Sequence, residues 1–192
     1  MIASHLVDAA ADLIAFLEAS GRRSCLIGGL VVSRWGEPRL THDVDAVVLT
    51  EFGGEVALLD LLLSKYRSRE RDARTIAATA RMALLEAPNG AFIDISFAAF
   101  PFEEQVLDRS SMWQVTPDVG LRTCSAEDLV IYKLVAARLI DIHDVQTVVT
   151  RQGPALDVQR VREWGALFAE LLERPDLLDP FERALRKPGR LS

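Results

Sequence analysis

Apolar positions in the first part of the chain alternate between helical and strand patterns. Residues 5–19 place apolar side chains at helical spacing, and the short run Cys25–Ile27 is typical of a buried strand. Gly28 and Gly29 then predict a turn, and a short helix is expected over 30–35. This order of elements indicates mixed α/β structure at the start of the chain.

The same alternation continues with three further strands and one further helix. Strands are predicted over Asp43–Leu49, 82–86 and 91–97. Helical spacing returns over residues 55–65. An Asn-Gly pair joins the last two strands, and this dipeptide is the strongest short signal for a β-hairpin. We therefore expect an antiparallel strand pair there.

The last third of the chain shows helical periodicity only. Ser125, followed three residues later by an aspartate, resembles a capping box and begins a helix that extends to about residue 139. A second helix is predicted over 141–149, and Asp157 is expected to cap a third.

Composition supports one folded chain with two parts. The chain has 192 residues, of which 49% are hydrophobic and 26% charged, and this ordinary globular balance excludes a disordered or fibrous protein. We predict an α/β (α+β) fold with a core over residues 1–115 and a helical part over residues 116–192.

Charge and cysteine content narrow the classes of partner. The formal net charge is −6, which disfavours binding of nucleic acid through a globally basic surface. No apolar run reaches about 18 residues. The first residues also lack a basic leader, so we expect neither a membrane span nor a signal peptide. Cys25 and Cys124 form no metal-binding pair, which favours buried thiols in a cytoplasmic protein.

Two groups of basic residues stand out against the acidic total. A solvated surface is the preferred interpretation of both groups, and contact with RNA stays open. The first group is Arg67, Arg69, Arg71 and Arg74, and the second is Arg183, Arg186, Lys187 and Arg190.

Three aspartates carry the sharpest chemical signal. Asp43 and Asp45 point to the same side of one predicted strand, because strand side chains alternate with a period of two. Asp94 lies in an otherwise apolar run, where a buried carboxylate needs a cation or hydrogen-bond donors. If the two strands pair, three carboxylates converge, and Mg²⁺ supplies the charge that oxygen ligands of this kind bind. Two such ions can hold the attacking and leaving oxygens of a phosphoryl transfer.

The glycine pair adds a second part to this interpretation. Without Cβ atoms, the N–H groups of Gly28 and Gly29 can approach a phosphate closely, and a helix N-terminus behind them favours negative charge. Competing motifs are absent: the chain has no G-x-x-x-x-G-K-[ST], no G-x-G-x-x-G and no G-x-S-x-G. Together, the glycines and the aspartates favour metal-dependent phosphoryl chemistry.

These residues also resemble a known superfamily. A glycine pair, thirteen residues and then D-V-D, with Asp94 later, is similar to the signature of polymerase-β-type nucleotidyltransferases. The stretch 39–45 resembles the AbiEii/AbiGii-like, type IV toxin-like branch. The block 127–145 is similar to that branch's pattern E-D-L-x-x-x-K-L-x-A-x-R-x-x-D-x-x-D-V.

The resemblance implies a fold, a reaction and the groups that carry it. It implies a mixed β-sheet flanked by helices, with a C-terminal helical part that closes the cleft. It implies an NTP substrate and two Mg²⁺ ions, with Mn²⁺ as a substitute. In this interpretation Asp43 and Asp45 hold both ions, while Asp94 holds the catalytic one and helps to activate the acceptor hydroxyl. The NTP contacts that it implies are Gly28, Gly29, Arg39, Thr41 and Lys133.

Lys133 has support of its own. The chain has three lysines against nineteen arginines, so a lysine at this position indicates that a compact ammonium is needed. A lysine on a helix surface is the alternative. Arg138, Asp141 and Asp144 are accessory candidates, which either join the site or form a network of ion pairs between helices.

The resulting hypothesis is an Mg²⁺-dependent nucleotidyltransferase that moves an NMP from an NTP to a hydroxyl acceptor. The acceptor is an RNA end (such as tRNA), a protein or a small molecule. The resemblance to toxins favours RNA or protein, with an antitoxin as partner in a toxin–antitoxin or abortive-infection system. The alternatives are a non-catalytic module that binds nucleotide or antitoxin and an antibiotic-adenylating enzyme. The oligomeric state stays open.

Overall fold

A computed structural model of the chain describes residues 3–186. Its helices are α1 (Ser4–Ala19), α2 (Gly28–Trp35), α3 (Glu55–Leu63), α4 (Ala73–Ala80), α5 (Pro101–Asp108), α6 (Ala126–Ala136), α7 (Leu139–Gln152), α8 (Val158–Leu171) and α9 (Asp179–Arg186), with a short 3-10 turn at Gly153–Ala155. Its strands are β1 (Ser24–Ile27), β2 (Asp43–Leu49), β3 (Arg67–Ser68), β4 (Met82–Glu86), β5 (Phe92–Ala98), β6 (Ser111–Thr116) and β7 (Val119–Thr123). Among the described residues, none of the helices combines the length and the apolar character needed to cross a membrane.

The described residues divide into two compact units. The first unit comprises residues 3–30 and Leu40–Cys124, and the second comprises Val31–Arg39 and residues 125–186. The functional division at residue 115 stays a prediction.

The first unit is built on a seven-stranded mixed sheet with the order β3-β4-β5-β2-β1-β7-β6. The pairs β2–β5 and β1–β7 are parallel, and the other neighbours are antiparallel. Helix α1 packs on β1, β2 and β7, while α4 packs on β4. The predicted α/β (α+β) class, with a mixed sheet flanked by helices, is therefore confirmed.

The central strands of the sheet are apolar, and other parts of the first unit pack over them and bury them. All four residues of β1 are buried, and in β2 the fully buried positions are Val44 and Ala46–Val48. Small and β-branched side chains suit such strands, since they pack well on a pleated surface. The predicted hairpin is confirmed as the antiparallel pair of β4 and β5, and Cys25 and Cys124 are buried thiols, as expected.

The second unit is helical, as its periodicity predicts. Helix α6 packs on α7 and α8, and α7 packs on α9. The Ser125 Oγ accepts a hydrogen bond from the Asp128 N–H at 3.2 Å, which caps the first turn of α6. The Asp157 carboxylate caps α8 in the same way, through the Arg160 N–H at 3.1 Å. Both predicted caps are confirmed.

Several elements differ from the sequence pattern. Gly28 and Gly29 begin α2 instead of forming a separate turn, because β1 passes directly into the helix. Helix α6 ends at Ala136 because Ala137 adopts a left-handed conformation with φ +53°. The pattern did not predict β6, whose residues are mostly exposed at the edge of the sheet. Edge strands lack the apolar alternation by which strands are recognised.

Candidate active site

Three carboxylates lie together where β2 and β5 run side by side. Asp45 is the register partner of Asp94 across this parallel pair, and Asp43 lies on the same face of β2 as Asp45. One carboxylate oxygen from each aspartate lies within 4.8 Å of the other two, and all three residues are half-buried. The structure therefore brings together the aspartates that the sequence singled out as metal ligands.

Gly28 allows one of these carboxylates its position. Its φ is +71°, a conformation that L side chains rarely adopt. A Cβ atom at this position would lie 1.9 Å from the Asp45 Oδ2 and 2.6 Å from the Asp45 Cβ. Position 28 therefore requires glycine for two reasons, the backbone conformation and the space that Asp45 occupies.

Each of the two aspartates of β2 accepts a hydrogen bond from a nearby residue. The Gly29 N–H donates to the Asp45 Oδ2 at 3.3 Å, and the Thr41 hydroxyl donates to the Asp43 Oδ1 at 3.1 Å. Gly29 and Thr41 were predicted as NTP contacts. The structure places both directly beside the carboxylate cluster, where each contacts an aspartate.

Asp94 has a partner that the sequence did not identify. Its Oδ1 accepts a charge-assisted hydrogen bond from the Arg69 Nη2, and the Arg69 guanidinium lies 4.7 Å from the centre of the Phe92 ring. Burial raises the pKa of the Asp94 carboxyl above its ordinary value. The Arg69 charge opposes that rise, and the Asp43 charge adds to it. The need for a cation beside Asp94 was foreseeable, but which residue supplies it was not.

The donor set of this cluster fits Mg²⁺ or Mn²⁺. It consists of carboxylate oxygens only, which are the ligands that hard divalent cations prefer. The three negative charges repel one another, so a divalent cation among them replaces repulsion with attraction. Asp43, Asp45 and Asp94 are therefore the residues that would hold a metal.

The first basic group is largely paired with acidic side chains. Arg67 contacts Glu86 at 2.5 Å, and Arg74 contacts Asp60 at 2.6 Å. In the second basic group, Arg183 approaches Asp179 at 3.8 Å. Two of its members, Lys187 and Arg190, lie outside the described residues. Contact of either group with RNA stays a prediction.

The other predicted site residues form a cluster of ion pairs in the second unit, in which Lys133 and the two carboxylates are buried and Arg138 is largely exposed. Lys133 is 5% exposed and its Nζ contacts both Asp141 and Asp144 at 2.9 Å. Arg39 binds Asp144 through two parallel hydrogen bonds of 2.7 and 2.8 Å. Arg138 completes the cluster with hydrogen bonds of 2.6 and 3.1 Å to Asp141. Three cations thus alternate with two carboxylates.

The charges of this cluster stabilise one another. Burial alone would raise the pKa of Asp141, but hydrogen bonds from Arg138 and Lys133 outweigh it and lower that pKa. The two carboxylates have almost no exposure, 0% for Asp141 and 1% for Asp144. The network of ion pairs that is one of the two interpretations of Arg138, Asp141 and Asp144 is present, and it includes Lys133 and Arg39.

The first two residues of the sequence block 127–145 also have structural partners. The Glu127 Oε1 accepts a hydrogen bond from the Asp157 N–H at 3.1 Å, and the buried Asp128 pairs with Arg160 at 2.8 Å. Both contacts join the start of α6 to the start of α8. These two residues therefore hold the helical unit together.

Comparison with solved structures identifies the fold. A crystal structure of an antigenic nucleotidyltransferase-like protein from Paracoccidioides brasiliensis matches 94% of this chain and 93% of its own, with a TM-score of 0.53 and 17% identity. The chain has the nucleotidyltransferase fold. The antibiotic-resistance factor ANT(2'')-Ia matches 92% of this chain and 89% of its own, with a TM-score of 0.46 and 15% identity.

A third solved structure is also similar, whereas the comparisons with family models and curated proteins found no match. The CCA-adding enzyme in complex with CTP matches 95% of this chain and 51% of its own, with a TM-score of 0.38 and 12% identity. No protein-family model matches the chain, and no curated protein matches it. The fold is the one that the resemblance implied, while membership of the superfamily and of its AbiEii/AbiGii-like branch stays a prediction.

Proposed function

We propose that this protein is a metal-dependent nucleotidyltransferase, which moves an NMP from an NTP to a hydroxyl acceptor and releases pyrophosphate. The observation that carries the proposal is the convergence of Asp43, Asp45 and Asp94 on paired strands of a nucleotidyltransferase fold. Fold alone does not define a reaction, so the proposal depends on this cluster.

Each aspartate has a role in the proposed reaction. Asp43 and Asp45 would hold Mg²⁺ from one strand, and Asp94 would hold it from the neighbouring strand. Bound Mg²⁺ supplies the positive charge that stabilises the transferred phosphoryl group. Asp94 accepts the proton of the acceptor hydroxyl, the role that the resemblance to polymerase-β-type nucleotidyltransferases implies for it. The acceptor oxygen then bonds to the α-phosphorus while the bond to pyrophosphate breaks.

The nucleotide contacts are proposed on different grounds. Gly28 and Gly29 begin helix α2, where N–H groups and the helix dipole favour an anion. Thr41 lies beside Asp43, within the same unit. For Arg39 and Lys133 the support is the resemblance in sequence, since both contact aspartates in the structure.

The acceptor and the biological role rest on the resemblance of the stretches 39–45 and 127–145 to toxin-like nucleotidyltransferases. On this ground we propose tRNA or a protein as acceptor, and an antitoxin as partner. A chain of this kind would act within a toxin–antitoxin or abortive-infection system.

Transfer of label from an NTP tests the proposed reaction. The protein is incubated with NTPs labelled at the α-phosphate, Mg²⁺, total tRNA and cell extract. We expect labelled product with the wild type and none with the double variant Asp43→Asn/Asp45→Asn. Asp118→Asn, at an exposed turn, is the matched control and should retain transfer. Equal labelling by the wild type and the double variant would exclude the proposed reaction.

A further inference from the structure

Arg69 lies beside strand β4 and is a cation that contacts the carboxylate cluster. Its backbone N–H donates to the carbonyl of Leu84 at 2.9 Å, and Leu84 is the register partner of Asp94. The Arg69 side chain therefore reaches across β4 to Asp94 on β5. This backbone hydrogen bond holds residue 69 beside β4. Release of Asp94 therefore requires movement of the Arg69 side chain only.

The guanidinium of Arg69 is held by few interactions. Its Nη2 donates to Asp94, and its central carbon lies over the Phe92 ring, 4.7 Å from the ring centre. Its Nε is buried and has no hydrogen-bond partner among residues 3–186. By contrast, Arg39 holds Asp144 through two parallel hydrogen bonds, the arrangement that guanidinium and carboxylate geometry favour. Arg69 thus binds Asp94 without using the full donor set of its guanidinium.

Electrostatics explain why a cation occupies this place. Three carboxylates within 4.8 Å of one another repel, and Arg69 offsets one of their charges. A divalent cation bound by the same carboxylates would offset more of this charge, and it would repel Arg69. It would also compete for the oxygen of Asp94 to which Arg69 donates.

We propose that Arg69 competes with metal for Asp94. In the metal-free protein Arg69 neutralises and positions Asp94, and Asp94 ligates a metal only after Arg69 has released it. Arg69 therefore lowers the affinity of the carboxylate cluster for free divalent cations. This inference rests on the proposed metal site and adds to it a residue that controls when the third ligand becomes available.

Calorimetric titration of the full chain with MnCl₂, without nucleotide, tests the inference. Arg69→Gln removes the competing charge, so we expect Mn²⁺ to bind about tenfold more tightly than in the wild type, which corresponds to about 1.4 kcal/mol. Arg67→Gln is the matched control, because Arg67 lies two residues earlier and pairs with Glu86 outside the cluster. Its Mn²⁺ affinity should equal that of the wild type.

Thermal unfolding in EDTA provides a second readout. Without metal, Arg69→Gln leaves the three carboxylates without their cation and should lower the melting temperature more than Arg67→Gln does. Saturating Mn²⁺ should remove most of this difference. Unchanged or weaker Mn²⁺ affinity in Arg69→Gln would overturn the inference, since a residue that only supports Asp94 would weaken binding when lost.

A conservative variant keeps the test valid if Arg69→Gln does not fold. Arg69→Lys retains the charge but not the guanidinium that lies over Phe92, so its Mn²⁺ affinity should lie between those of wild type and Arg69→Gln. Affinity no tighter than that of the wild type would overturn the inference. If neither wild type nor variants bind Mn²⁺, the proposed metal site itself is wrong. If the wild type binds Mn²⁺ and the Arg69 variants bind it equally, only the role of Arg69 is wrong.

Discussion

Position 28 shows how one residue controls the geometry of the candidate site. The hydrogen atom that replaces a side chain in Gly28 leaves the space in which the Asp45 carboxylate lies. The same residue has a positive φ, which permits β1 to pass directly into α2. Loss of glycine here therefore affects a ligand position as well as the backbone.

We expect Gly28→Ala to abolish Mn²⁺ binding and nucleotidyl transfer. The added Cβ atom would overlap Asp45, so Asp45 or the start of α2 must move. The strained backbone adds a loss of about 1–2 kcal/mol in the free energy of unfolding. Calorimetric titration with Mn²⁺ and urea unfolding measure the two effects separately.

Gly21→Ala is the matched control for this variant. Gly21 has a similar φ of +69°, but its added Cβ atom would meet nothing within 4 Å. Gly21→Ala should therefore show only the loss of stability that comes from backbone strain, while Gly28→Ala loses more stability and also loses metal binding. Retention of wild-type Mn²⁺ affinity by Gly28→Ala would contradict the placement of Asp45 among the ligands.

At the scale of elements, the buried ion cluster ties α7 to α6. Lys133 on α6 contacts Asp141 and Asp144, which lie one turn apart on α7. The i, i+3 spacing of these aspartates places both on the same face of α7. Since charges without a partner are costly to bury, a change in the packing of α6 on α7 that separates these ions would be unfavourable.

Lys133→Met should lower the free energy of unfolding by about 3 kcal/mol or more. The substitution keeps the length of the side chain but leaves two buried carboxylates without the ammonium between them. Urea unfolding of both proteins measures the difference. A variant that retains its stability but loses NTP binding would favour the substrate role of Lys133 over the structural one.

Lys65→Met provides the comparison for this change. Lys65 forms an ion pair with Asp12 in which both side chains are substantially exposed, 32% and 45%. Exposed pairs of this kind contribute little, so the loss should stay below about 1 kcal/mol. Equal losses for the two lysines would show that the buried cluster has no special importance for stability.

At the scale of the whole molecule, the order of strands assembles the site. The sheet places β2 between β1 and β5, so the glycine that follows β1 and the aspartate of β5 both lie beside the aspartates of β2. The glycine is separated from β2 by the rest of α2, and β2 is separated from β5 by α3, β3, α4 and β4. Ligand binding at this site should therefore be coupled to the stability of the folded state.

We expect an NTP with Mg²⁺ to stabilise the folded protein by about 2.7 kcal/mol when the free ligand is at a hundredfold excess over its dissociation constant. The effect should disappear in Asp43→Asn/Asp45→Asn and persist in Asp118→Asn. Thermal unfolding with and without nucleotide measures it. Stabilisation that is independent of Asp43 and Asp45 would indicate a nucleotide site elsewhere.

Short-range patterns in the sequence determined the strands, the helix caps and the face on which Asp43 and Asp45 lie. The D-V-D spacing places Asp43 and Asp45 on one strand face, and Ser125 and Asp157 cap helices as predicted, because strand alternation and capping depend on neighbours in the chain. The buried strands β1 and β2 follow from their apolar runs for the same reason.

Only the tertiary structure decided which distant residues meet. The register of Asp45 opposite Asp94, the choice of Arg69 as partner of Asp94, and the enclosure of Lys133 between two aspartates all depend on strand order and helix packing. One strand can pair in many registers, and one arginine can reach many acids, so no short segment specifies these contacts. They are selected by the single arrangement that buries the apolar faces and satisfies the buried charges together.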